Sequence, residues 1–120
     1  MTLQIEKAAF DGLADALKDC AARGLWPTTY VSGTAPAADI HWHDEDVHIY
    51  VMKGQTTFLD AESGKSVSVV AGDKIVVPAR ALHAEGEVVG EAIYLIGLPR
   101  AVPPADFLAM RDPRLLEKQD

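Results

Sequence analysis

The sequence predicts a mainly β domain, an antiparallel sandwich or barrel with a helix in front of it. Three observations carry this expectation. From Trp26 onward, short runs rich in β-branched and aromatic residues alternate with turns built on glycine, proline or acidic residues. Before Trp26, apolar residues fall at helical spacing instead. The single cysteine, Cys20, rules out an internal disulfide, so the 120 residues must hold together through one hydrophobic core.

The elements follow in order. Thr2 to Gly24 reads as a helix, with Phe10, Leu13, Ala14, Leu17, Cys20 and Ala21 forming the stripe expected to pack. Gly24 suits its C-cap, Pro27 limits its continuation, and Gly12 allows a start near Asp11. Cys20 lies on the stripe and reads as core rather than nucleophile. Strands are expected at Thr28–Val31, Ile40–His43, Val47–Met52, Thr56–Asp60, Ser66–Val70, Lys74–Val77, His83–Val88 and Glu91–Gly97. Glu62-Ser63-Gly64-Lys65 reads as a hairpin turn and Pro78-Ala79-Arg80 as a corner. Regularly spaced short strands of this kind suit a closed or sandwiched sheet. After Pro99, Pro103 and Pro104, residues Ala105–Met110 form a short amphipathic segment, expected to be a short C-terminal helix, and the charged tail beyond Pro113 is expected to fray. The whole chain, 1–120, reads as one domain: helix 2–24, barrel about 26–98, C-terminal segment 99–120.

Composition excludes some partners. A net charge of −7 opposes binding to nucleic acid and to anionic membranes. The first residues, MTLQIEKAAFDG, lack the apolar core of a signal peptide, and no apolar run reaches bilayer length. With one cysteine, a reducing, cytoplasmic setting is expected.

Chemistry centres on the histidines. His41 and His43 stand two apart, so on a strand their imidazoles share a face and can hold a metal. The pair is joined by two spaced motifs. The first is His41-Trp42-His43, three residues, Val47, six residues and Gly54; the second is Gly72, five residues, Pro78, then His83 five positions on. Together, across roughly Thr28 to Leu98, they resemble the cupin superfamily, specifically the small single-domain cupins. The resemblance implies a double-stranded β-helix barrel and a homodimer joined through barrel strands. It also implies one divalent metal held by His41, His43 and His83. Imidazole ligands leave iron, nickel, manganese, zinc and copper all open.

The departures are specific. The carboxylate usual in the first motif is replaced by Val47, a usual glycine of the second by Arg80, and its usual terminal asparagine by Glu87. Three readings fill the vacant slot. Either water or substrate completes a three-histidine site, or Asp46 swings in, or the strand slips to bring in His48. The slip would turn Val47, Ile49 and Val51 outward at roughly 1.5–3 kcal/mol each, so the first reading is preferred. His48 is then an outward-facing polar residue.

Glu85 shares strand parity with His83 and is the one candidate for a catalytic role, as general base or as a hydrogen-bond acceptor behind the ligands. Asp44-Glu45-Asp46 reads as a solvated turn, Trp42 as packing, and Arg80 as either a surface residue or a contact for an anionic substrate. The leading expectation is a metal-dependent enzyme of dioxygenase, isomerase or lyase type, acting on a small and anionic organic molecule inside the barrel. A Lewis-acidic ion with three neutral ligands would attract such an anion. The alternative is a non-catalytic metal-containing protein that binds a small molecule, and a third reading is a pure interaction domain.

Overall fold

Alternation within single strands builds the molecule. The structure, a computed structural model, describes residues 2–117. Along these, the order is β1 (Gln4–Glu6), α1 (Gly12–Ala22), β2 (Trp26–Ser32), β3 (Val47–Lys53), β4 (Gln55–Asp60), β5 (Lys65–Val70), β6 (Lys74–Val77), β7 (His83–Glu85), β8 (Ala92–Leu98) and α2 (Pro113–Glu117). Two antiparallel sheets result, one ordered β1-β6-β3-β8-β2 and the other β5-β4-β7. In β3, Val47, Ile49 and Val51 turn inward and pack with Phe58, Val69, Ile75, Val77, Tyr94 and Ile96 between the sheets. Tyr50 and Met52 turn outward and meet α1. The expected antiparallel barrel is therefore present, and none of its described helices is long and apolar enough to cross a membrane.

One turn shows why a motif residue is glycine. Gly54 follows β3 with φ +86°, and a Cβ there would lie 2.4 Å from the Glu91 carbonyl oxygen. No side chain fits without moving backbone.

The N-terminal expectation needs correcting. Residues 4–6 are not helical but form an edge strand, with Gln4 opposite Val76 and Glu6 opposite Lys74. Leu3 and Ile5 alternate onto the inner core, a period of two that helical counting overlooked. Asp73 fastens this segment by accepting from the Ala8 backbone at 2.9 Å and from Lys7 Nζ at 3.0 Å. Helix α1 then begins at Gly12, close to the later of the two starts considered. Its packing face also differs: Ala16 and Cys20 are buried, whereas Leu13 and Leu17 are 53% and 39% exposed. The sheet beneath already carries the bulky Tyr50 and Leu95, so small side chains one turn apart make the contact. Cys20 is core, as expected.

Two further segments are less regular than their composition suggests. Residues 40–43 form no continuous strand; His41 bridges His83, and Trp42 bridges Arg111. Over Ala105–Met110 there is only a 3₁₀ turn, Pro104–Asp106, instead of the short helix expected there. The short C-terminal helix lies later, at Pro113–Glu117, where fraying was expected. Residues 118–120 of that tail lie outside the described residues.

Candidate metal centre

The backbone brings the histidines together before their side chains act. His41 and His83 exchange both main-chain hydrogen bonds, at 2.9 and 3.0 Å, so their Cβ atoms are held side by side. The ring centroids of His41, His43 and His83 then lie 4.5 to 5.0 Å apart. Glu85, two residues along β7 from His83, adds a carboxylate on the same face. Its oxygens approach His41 Nε2 at 3.2 Å and His83 Nε2 at 3.5 Å. One ligand atom from each of the four side chains falls within 4.8 Å of every other, and the three histidines are buried.

Each ring has its orientation fixed from behind. His41 Nδ1 meets the Asp39 carbonyl at 2.6 Å, His43 Nδ1 the Ala109 carbonyl at 2.9 Å, and His83 Nδ1 the Ala81 carbonyl at 2.8 Å. A carbonyl only accepts, so Nδ1 carries the proton in each neutral ring and Nε2 keeps its lone pair. All three lone pairs are thereby available to one acceptor of electrons. His41 Nε2 and His83 Nε2 are buried without a hydrogen-bond partner. Their approach to Glu85 is a close contact, not an aligned hydrogen bond. Lone pairs facing a carboxylate repel unless a positive charge stands between them, and unsatisfied buried nitrogens are costly. A divalent cation removes both penalties, so the donor set fits a metal ion.

In the absence of any ion, the pull of Glu85 for positive charge falls on the imidazoles themselves. Burial would raise the Glu85 carboxyl, but His41 and His83 overcome this and hold it well below the usual carboxylate range. Burial pulls His41 down, yet the same carboxylate outweighs it and leaves His41 above an ordinary histidine. His43, further from Glu85, is lowered chiefly by burial.

His41, His43 and Glu85 face a cavity of about 300 Å³ between the two sheets. Val47 lines it and is 2% exposed, so the side chain in the motif's carboxylate slot does point inward. Other expected candidates are elsewhere. Asp46 is exposed and accepts from the Ala79 backbone at 2.7 Å, capping the corner instead of reaching the histidines. His48 faces the other side of β3, where it is half-buried with an unpartnered Nδ1 and is lowered by burial and the nearby Lys74. Arg80 is exposed and contributes only its backbone N–H, to the His43 carbonyl at 2.9 Å. Asp44 and Glu45 are not merely solvated: they pair with Arg111 at 2.7 Å and Arg100 at 2.6 Å. Trp42 packs as expected, at 4% exposure, and its indole donates to the Asp112 carbonyl at 2.9 Å.

Sequence reasoning missed the C-terminal segment. Phe107, Leu108 and Met110 line the cavity, and the Ala109 carbonyl orients His43. The available signal was the apolar run Phe107–Met110, two residues beyond Pro103-Pro104, too apolar for a free tail.

Fold and site together define a cupin-type barrel with a three-histidine, one-carboxylate cluster at its mouth. Comparison with solved structures supports that fold. A DUF861 family protein of Thermotoga maritima superposes with a TM-score of 0.56 at 16% identity, covering 80% of this chain and 98% of its own. A cupin-2 domain protein of Shewanella frigidimarina gives 0.53 at 20% identity, covering 64% of this chain and 72% of its own. The polyketide cyclase RemF of Streptomyces resistomycificus gives 0.52 at 18% identity, covering 97% of this chain and 78% of its own. No protein-family model matches the sequence, and no curated protein matches it.

Proposed function

We propose that this chain is a metal-dependent enzyme acting on a small organic molecule in the barrel cavity. One divalent ion would be held by His41, His43 and His83, with Glu85 as the fourth protein ligand. The observation that carries this reading is the pair of buried Nε2 atoms on His41 and His83, which face the Glu85 carboxylate at 3.2 and 3.5 Å without an aligned hydrogen bond to it. Glu85 would thus supply, from β7, the charge that the first motif omits at Val47. When bound, the ion supplies a Lewis-acidic or redox-active centre for an oxygen-bearing substrate. Asp39, Ala81 and Ala109 lock the ligand tautomers through their carbonyls, and Phe107 and Leu108 restrict water at the cavity wall. That a polyketide cyclase shares the fold supports an enzyme over a passive binder.

The test is elemental analysis of the protein purified without added metal or chelator, then titrated with zinc. His43→Ala and His83→Ala should each lose most of the metal, and His48→Ala should keep it. Glu85→Gln should weaken binding by at least about 10–100-fold, the range seen when a group that merely orients a ligand is removed. Full occupancy in His83→Ala would sink the proposal.

We propose in addition that two copies associate through barrel strands. In support, β2 is a sheet edge on which Trp26 and Val31 are 59% and 57% exposed, an arrangement open to further strand pairing. Sedimentation showing only monomer at micromolar concentration would reject this.

A further inference from the structure

We infer that the molecule taken into the cavity has an uncharged, flat and largely apolar body, aromatic or conjugated, whose polar function is confined to the end that meets the histidines. This rests on the metal reading above and assigns its substrate class.

The walls are the first ground. The polar side chains lining the cavity are Tyr30, Ser32, His41, His43, Glu85 and Tyr94; every other lining residue is alkyl, aromatic, glycine or the thioether Met110. Among the described residues no lysine or arginine lines it, so a phosphate, sulfonate or second carboxylate would enter without a counter-ion. Burying such a group unpaired is strongly unfavourable, whereas an apolar body gains from leaving water. A cavity of about 300 Å³ also sits at the small end of ligand pockets.

Charge is the second ground. Three neutral imidazoles alone would leave a divalent ion uncompensated, which is why the sequence suggested an anionic substrate. Glu85 cancels part of that charge from inside the cavity. Arg100 and Arg111 line a neighbouring depression that shares His43, Val47 and Leu108 with the cavity, and there they are committed to Glu45 and Asp44. Asp106 lines that depression as well, so its carboxylates outnumber its guanidinium groups.

Shape is the third. Tyr30 at the rim and Tyr94 inside form a pair of rings 6.2 Å apart and tilted by 30°. Phe58 and Phe107 line the same cavity, so four aromatic rings face its interior. Flat π-faces of this kind suit a planar ring system.

The experiment compares 2-naphthol with 6-hydroxynaphthalene-2-sulfonate, which keeps the same hydroxyl and ring and adds a distal charge that ligates metal poorly. Binding is measured by calorimetry at neutral pH on zinc-loaded and metal-free protein, with zinc content determined on the same samples. 2-Naphthol should bind at least about tenfold more tightly than the sulfonate. Ala35→Trp, which fills the cavity from a loop, should abolish 2-naphthol binding, and Ala38→Trp serves if that variant does not fold. Equal or tighter binding of the sulfonate overturns the inference, as does no binding of 2-naphthol to zinc-loaded protein or unchanged affinity in the filled variant. The walls carry the selectivity, so it should persist without metal. Failure to take up zinc, with selectivity intact, would reject the metal reading alone.

Discussion

The five-stranded sheet buries a polar cluster on each face, and the two are resolved in opposite ways. On the outer face, beneath α1, Asp19 Oδ2 accepts from Lys74 Nζ at 2.8 Å and from Tyr50 Oη at 2.6 Å, while Arg23 Nε reaches both carboxylate oxygens at 3.1 Å. Lys74, 3% exposed, also lies 4.9 Å from the Tyr50 ring centre. Donors and acceptor there answer one another. On the inner face, three imidazoles cluster with a carboxylate, and the Nε2 atoms of the two that approach it have no partner. A closed network spends its polarity on holding a helix to a sheet. An open one keeps it for something that arrives from outside. Buried polarity alone would not have distinguished structure from function here, nor would one unpartnered nitrogen, since His48 Nδ1 is another; two of them converging on one carboxylate do.

Breaking the outer cluster should produce the largest effect on stability. Asp19→Ala leaves the Lys74 ammonium buried without its carboxylate, a loss of about 3–5 kcal/mol when one member of a buried pair is removed. Asp19 is itself 34% exposed, so the low end, about 3 kcal/mol, is expected. Zinc binding by the folded fraction should be unchanged, because α1 does not contact the histidines' supports. The same residue governs acid behaviour. Burial raises the Asp19 carboxyl, but Lys74, Tyr50 and Arg23 overcome this and hold it below the carboxylate range. A depressed carboxylate stabilises the fold above its unfolded value of about 3.9, and that stability is lost as pH falls through the folded value. Asp19→Asn should therefore shallow the acid limb of the stability curve below about pH 4 by up to one proton. Chemical denaturation across that range measures it, and an unchanged slope would remove Asp19 from the network.

The contrast also explains what the sequence made legible. His41, His43 and His83 could be grouped because each sits in a spaced motif, and strand parity placed Glu85 and Val47 on the cavity side. Glu85 as neighbour to two imidazoles was visible only as parity, since its distance from His41 depends on the bridge between residues 41 and 83. Asp46 was the carboxylate considered as a ligand, and Glu85 only as a general base or an acceptor behind the ligands. The Ala79 N–H occupies Asp46, while Glu85 reaches two of the imidazoles. The outer cluster was hidden altogether, because Asp19, Tyr50 and Lys74 are 55 residues apart at their extremes and meet through sheet pairing. The same long-range pairing captured Gln4–Glu6, where a strand of three residues is too short for its period to outweigh the helical pattern beside it.

The smallest expected effect sharpens the comparison at the corner behind the inner cluster. Arg80 adopts φ +69°, a left-handed conformation that costs a residue with a Cβ about 1–2 kcal/mol. The cupin-like motif usually has glycine there, and glycine enters this region freely but loses more entropy on folding, about 0.5–1 kcal/mol. Arg80→Gly should therefore stabilise the protein by about 0.5–1 kcal/mol, the difference between those terms. The N–H of residue 80, which donates to the His43 carbonyl, is unaffected by the change, so His43 should stay in place. Zinc affinity should then match the unmodified protein while thermal unfolding shifts upward. A marked fall in affinity would mean that the Arg80 side chain, exposed as it is, supports the centre, and that the inner cluster depends on more of its surroundings than the carbonyls behind its three rings.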